Sequence, residues 1–271
     1  MSKIVVDASH SSYRIDWKEL KDYRDLFYIL AYRDLRVRYA QTFLGFTWAL
    51  LQPLATLLIF ILVFGLAVKV DTGGIPYPLF AISGISMWAY FSFVLNQSGG
   101  SVVGAQEMIK KIYFPRLVIP LSKAVVGFVD YGVALLMLII LMFVYGFTPS
   151  ANIIFAPLFI LLNMVAALAV GIWLSALTIR YRDFQHVIPF LVQFGLYATP
   201  VAYPARLVPE KYQFLYNLNP MAGVIQGFRW SVFGGDAPGL YFFISMTVII
   251  MLFISGIFYF KKVEDVMADI V

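Results

Sequence analysis

The 271-residue chain is 61% hydrophobic and 13% charged, against roughly 25% charged residues in a soluble domain, and its mean hydropathy is +0.83. This excludes a soluble globular protein and predicts an all-α integral membrane fold in one unit. The net charge of +5 follows membrane topology rather than nucleic-acid binding. The absence of cysteine rules out disulfides and thiol chemistry, and two distant histidines, His10 and His186, give no basis for a metal site.

The first 42 residues hold no apolar core of signal-peptide type, so the first span is expected to direct insertion. Within them Leu20, Tyr23, Leu26, Phe27, Leu30 and Val37 recur at helical spacing, with Arg24, Arg33, Arg36 and Arg38 outside that stripe and Asp34 interrupting it. This reads as an amphipathic interface helix, either a plain anchor for the first span or a contact for a partner.

Six membrane spans are predicted, at Phe43–Val68, Leu79–Gln97, Leu117–Phe147, Ile153–Ile179, Val187–Val201 and Leu240–Phe260. The fifth is short for a crossing. With both termini in the cytoplasm, every Lys and Arg except Lys69, Arg206, Lys211 and Arg229 falls on the inner side, as the positive-inside rule requires. Between spans two and three, residues 104–116 carry Met108, Ile109, Ile112 and Tyr113 at helical spacing until Pro115 ends the helix. That element is expected either to cap the bundle or to act as a lever for a cytoplasmic partner.

The third span contains Asp130, with Lys123 seven residues earlier on the same face. An ionisable group inside a membrane is a functional candidate, although a single acid does not make a proton relay. The segment after span five carries Pro200, Pro204, Pro209 and Pro220, then an apolar stretch from Met221 to Phe233 with Arg229 near its middle. As a helix that stretch would run about 20 Å, short of the ~30 Å hydrocarbon core, and both its ends lie outside. It is expected to form a re-entrant helical hairpin plugging a conduit, with an interfacial helix as the alternative. Gly223, Gly227, Gly234 and Gly235 would allow close packing and hinge motion.

No P-loop, HExxH, GxSxG or paired-acid pattern occurs, so the chain is not expected to be an enzyme or to bind ATP. Aromatics make up 17%. Most serve packing or the interface belt, yet aromatic faces also suit the apolar faces of sugar rings.

The stretches "RYAQTFLGFTWALLQPL" at 38–54, "IRYRDFQHVIPFLVQFGLYATPVAYP" at 179–204 and "YNLNPMAGVIQGFRW" at 216–230 resemble the permease subunits of ABC-2 type exporters, in the branch that exports O-antigen, teichoic acid and capsular polysaccharide. The resemblance covers nearly the whole chain. It implies a single transmembrane domain over 1–271, with a cytoplasmic segment 1–42, a bundle 43–260, an external re-entrant hairpin 204–234 and a cytoplasmic tail 261–271. It implies a homodimer in the bacterial inner membrane with two copies of a separate ABC ATPase. The chain itself would hold no cofactor, ATP and Mg residing on the ATPase. The cargo would be a lipid-linked glycan, with no nucleic acid involved.

On this resemblance Phe27, Leu30, Met108, Ile109, Ile112 and Tyr113 would contact the ATPase. Arg36 and Arg38 would contact a headgroup or pyrophosphate. Phe60, Phe64, Trp88, Tyr90, Phe194 and Tyr197 would line a glycan conduit, and Tyr203, Gly223, Gly227 and Arg229 would form an exit gate. Two other classes stay open, an ABC-2 exporter of a small amphipathic molecule or drug, and a stand-alone channel or secondary transporter.

Overall fold

A computed structural model describes residues 17–40 and 45–270, with side chains described from Lys18 to Glu264. Lys3, His10, Arg14, the expected start of the first span at Phe43 and the C-terminal Val271 lie outside the described residues. All regular structure among the described residues is helical. Two terminal helices come first, α1 (Trp17–Asp22) and α2 (Arg24–Tyr39). A 3-10 turn leads into α3 (Trp48–Phe60), which continues as a π-helical stretch to Ala67. Helix α4 (Tyr77–Gly99) is followed by two single turns, α5 (Ser101–Gly104) and α6 (Gln106–Ile109). Then come α7 (Val118–Val144), α8 (Ala156–Arg180) and α9 (Phe184–Ala198). Helices α10 (Glu210–Asn217), α11 (Pro220–Phe233) and α12 (Leu240–Ile270) complete the fold.

Five helices are long and apolar enough to cross a bilayer, at Gly45–Ala67, Tyr77–Gly99, Val118–Val144, Ala151–Arg180 and Leu240–Glu264. The expected fifth span, Val187–Val201, does not meet that length. It is the 15-residue α9, about 22 Å long at 1.5 Å per residue. The cause is local: Pro200 disfavours helical backbone at the residue before it, and Thr199 is extended, with φ −114° and ψ 147°.

Helix α4 is the hub of the bundle, packing against α3, α7, α8, α9 and α11. Small residues allow this. Ser83, Gly84, Ser86, Ser98 and Gly99 are buried in it, and Ser83 and Ser86 return their hydroxyls to Phe80 O and Ser83 O at 2.7 and 3.0 Å, so no donor is stranded. A Cβ at Gly99 would sit 2.1 Å from the Ile188 side chain of α9. Without an apolar driving force between helices in lipid, such close approach is what holds spans together.

The expected stripe on the N-terminal helices ends early. Leu20, Tyr23, Leu26 and Phe27 pack partly against the core and Leu30 is buried, but Val37 is exposed. Beyond Leu30 the same helix face carries Asp34 and Arg38, at i+4 and i+8. Both turn toward α7, so Arg38 lies on the inner face rather than outside the stripe.

Candidate functional site

At the end of the bundle where α2 packs on α7, charged groups join the two helices. Lys123 bonds to Asp34, whose other oxygen accepts from Arg33 Nη2 at 2.8 Å. Burial alone would raise the Asp34 carboxyl, but the hydrogen bonds and charges of Lys123 and Arg33 outweigh it and hold the group below its ordinary range. Arg38 and Tyr39 both donate to Asp130, and the Arg38 guanidinium lies 4.5 Å from the Phe93 ring centroid. The two charged residues singled out on the third span therefore do not pair with each other; each takes a partner from α2. Arg36 is exposed, and among the described residues no side chain pairs with it.

Above these pairs a cleft of about 610 Å³ opens between α3, α4, α7 and α9. Of the six aromatics expected along a conduit, Trp88 and Tyr90 border it, though both are largely buried in its wall, 8% and 2% exposed. The other four do not share it. Phe60 is buried and meets Phe64 edge-on at 5.5 Å. Phe194 and Tyr197 are 64% and 63% exposed on the outer face of α9. What the sequence reading missed is a set of uncharged polar side chains on the cleft wall, Gln52, Thr56, Ser92, Asn96 and Gln97. Their signal was present: polar residues inside apolar spans, at i, i+4 on two helices, are costly unless they face a cavity. A smaller cleft of about 280 Å³ lies beneath α2, lined by Arg33, Asp34 and Lys123, and it shares Asn96 and Gln97 with the larger one.

At the same end of the bundle, residues 105–116 do not form one helix. They make the turn α6 and an irregular stretch pinned from both sides. Tyr113 Oη donates to Glu19 at 3.1 Å, and Tyr23 Oη donates to Tyr113 O at 3.2 Å. Arg116 donates its backbone N–H to Glu264 Oε1 at 3.0 Å and its guanidinium to Glu264 O at 2.6 Å. Lys261 holds the same carboxylate at 2.8 Å. Helices α1 and α12 thus clamp the loop into a platform. Of the six expected partner-contact residues, Ile112 is 50% exposed and Tyr113 more so. Phe27, Met108 and Ile109 are partly buried against the core. Leu30, 3% exposed, is closed off by the packing of α2 and is corrected to a core residue.

At the opposite end, α10 precedes α11, the helix formed by the apolar stretch too short to cross. Asn219 caps α11, its side chain accepting from Met221 N at 3.0 Å. Its amide also donates to Thr199 Oγ1 at 2.8 Å, tying the cap to the end of α9. Ser245 of α12 accepts from Gly223 N at 3.2 Å and donates to Asn217 O at 2.8 Å.

Arg229 is 7% exposed. Its Nε donates to Ser83 Oγ at 3.1 Å, Nη1 to Pro200 O at 2.5 Å, and Nη2 to Phe80 O at 2.9 Å and Val201 O at 2.8 Å. Its guanidinium also covers the Phe80 ring at 3.5 Å. The polar partners this cation requires are therefore the Ser83 hydroxyl and backbone carbonyls of α4 and of the chain leaving α9.

Gly223 and Gly227 are packing positions. A Cβ would lie 2.7 Å from Ser245 Cβ and 2.0 Å from the Phe159 ring, respectively. Positive φ occurs instead at Gly234 and Gly235, 81° and 91°. Tyr203 bonds to Tyr197 O at 2.9 Å. The four expected gate residues thus lie in the protomer's own packing around α11 and beside it.

The sequence profile of the ABC-2 type transporter family matches residues 25–233. The O-antigen export system permease protein RfbA of Klebsiella pneumoniae is 30% identical over 248 residues, covering 91% of this chain and 95% of the relative. The protein of the same name from Myxococcus xanthus is 27% identical over 252 residues, covering 91% and 96%. The polysialic acid transport protein KpsM of Escherichia coli is 24% identical over 240 residues, covering 87% and 92%.

Proposed function

The chain belongs to the ABC-2 type transporter family, a transport component whose ATPase is a separate subunit, and on that premise we propose that it is the membrane permease of a polysaccharide exporter. The observation that carries this reading is the cleft beside α4, whose wall sets the amides and hydroxyls of Gln52, Thr56, Asn96 and Gln97 among apolar side chains. Sugar recognition asks for that mixture of an apolar face and groups that both donate and accept. The relatives named for O-antigen export and polysialic acid transport support the same cargo class. A cell deleted for this chain should accumulate completed polymer inside, and restoring the chain together with its ATPase should return the polymer to the surface. Normal surface polymer in the deletion strain would refute the reading.

The finer architecture belongs to the same proposal. Both terminal helices sit at one end of the bundle, since Glu19 and Glu264 hold the same loop. A chain that starts and ends on one side crosses an even number of times. Five helices qualify by length, so α9, extended by Thr199–Val201, makes the sixth passage. Its Ile188 meets Gly99 near one end of α4, and Val201 meets Gly84 toward the other. Helices α10 and α11 then enter and leave on one side as a re-entrant hairpin, and both termini face the cytoplasm of a bacterial inner membrane.

The permease would work as a homodimer with two ATPase copies and a lipid-linked glycan, with the exposed face of α9 turned to the path between copies. In this cysteine-free chain, single cysteines at 73 or 210 should react with an impermeant reagent from outside, and those at 107 or 183 should not. Strong outside reaction at 107 would overturn the topology.

A further inference from the structure

The charge of the cleft says more about its cargo than its aromatics do. The groups of the lining that are charged at neutral pH, among the described residues, are Arg38 and Asp130. They neutralise each other. Asp130 accepts from Arg38 at one oxygen and from Tyr39 at the other, and the Arg38 guanidinium is also covered by the Phe93 ring. No cation of this lining is unpaired, and in the adjoining cleft Lys123 and Arg33 are both bonded to Asp34.

The remaining polar groups are of another kind. The Gln52 and Gln97 amides are exposed, and among the described residues they make no hydrogen bond to protein. Asn96 is exposed too, and uses one amide N–H on Ser92 O at 2.9 Å. Thr56 points its hydroxyl at Gln52 O at 3.0 Å, leaving its oxygen open as an acceptor. An amide carries two donors and an acceptor, which matches a sugar hydroxyl, itself donor and acceptor. A carboxylate taken out of water there finds amide N–H donors but no free cation to offset its desolvation.

We propose that the cleft selects an uncharged polyhydroxylated chain over an acidic one, with Gln52, Asn96 and Gln97 as the residues that set the preference. The proposal rests on the carbohydrate reading above and narrows it to neutral glycans. Relatives of one family carry different cargoes by name, so the family alone does not decide the point; the wall of this cleft does. The cleft is the right size for a short run of sugars, its ~610 Å³ falling within the roughly 300–1,000 Å³ typical of ligand sites.

The test uses the permease–ATPase complex in nanodiscs, where both membrane faces are open. Ala89 lines the cleft and is exposed, so Ala89→Cys with an environment-sensitive dye reports occupancy. A neutral maltohexaose and an acidic hexagalacturonate are titrated in parallel. The neutral probe should bind at least about tenfold more tightly, and Gln97→Lys, which adds a lone cation, should tighten the acidic probe by about tenfold. Equal or tighter binding of the acidic probe to the unaltered lining would overturn the selectivity while leaving a carbohydrate site in place. Failure of both probes to shift the dye would overturn the carbohydrate reading itself and this proposal with it.

Discussion

Replacing Arg229 with methionine is expected to abolish export and to lower thermal stability sharply. The substitution keeps the volume and removes every donor. Pro200 O and Val201 O lose the guanidinium N–H groups that reach them, and an orphaned buried acceptor costs about 1–3 kcal/mol, so the pair costs about 2–6 kcal/mol. The loss falls on one joint. Phe80 and Ser83 belong to α4, Pro200 and Val201 to the chain leaving α9, and Arg229 to α11, so one side chain joins three segments. Arg229→Lys should recover part of the stability, since an ammonium keeps the charge but not the planar fork. Thermal unfolding in detergent, followed by size-exclusion chromatography, measures all three proteins. Equal unfolding temperatures for wild type and Arg229→Met would show that α11 is held by its apolar contacts alone.

Ile112→Asp is expected to uncouple ATP hydrolysis from export without unfolding the permease. Ile112 is half exposed on a loop fixed by Glu19 and Glu264. A charge there meets water in the free permease and costs within about 0.5 kcal/mol of stability. It would be desolvated against the ATPase, where an unpaired charge is expensive, so export should fall at least about tenfold. Ile109→Asp is the contrast. Ile109 packs partly against the core, so its replacement should destabilise the permease as well. Export rate and unfolding temperature, measured on both variants, separate a docking residue from a packing residue. Unchanged export with Ile112→Asp would place the coupling contact elsewhere.

The sequence made the helices legible because apolar runs of membrane length leave little choice in a bilayer. The ends of α4, α7 and α8 fall within a few residues of the expected spans. The segment around Arg229 was legible for the same reason: a cation in an apolar stretch too short to cross must find partners. Their identity was not legible, because three of the four are backbone carbonyls, which carry no residue signature. The same limit explains α2. Periodicity placed Leu30 on an apolar stripe, but whether that stripe faces lipid, the ATPase or α7 depends on Asp34 and Arg38 finding Lys123 and Asp130, roughly ninety positions away. Composition does not separate aromatics packed in the core, as Phe60 and Trp88 are, from those left exposed, as Phe194 and Tyr197 are. The amides Gln52, Asn96 and Gln97 were the sharper signal, since they are costly in a span unless a cavity solvates them.

A benzophenone on a single cysteine tests the account most directly. Gln97→Cys puts the photoreactive group where the two clefts meet, and the cysteine-free background makes the site unique. Illumination during active export should yield a covalent adduct between the permease and the polymer, with sugar recovered on the peptide containing position 97. The adduct should disappear when ATP is withheld before polymer is loaded. Export proceeding at the wild-type rate with only lipid recovered at position 97 would mean that the polymer crosses by another route and that this cleft is not its path.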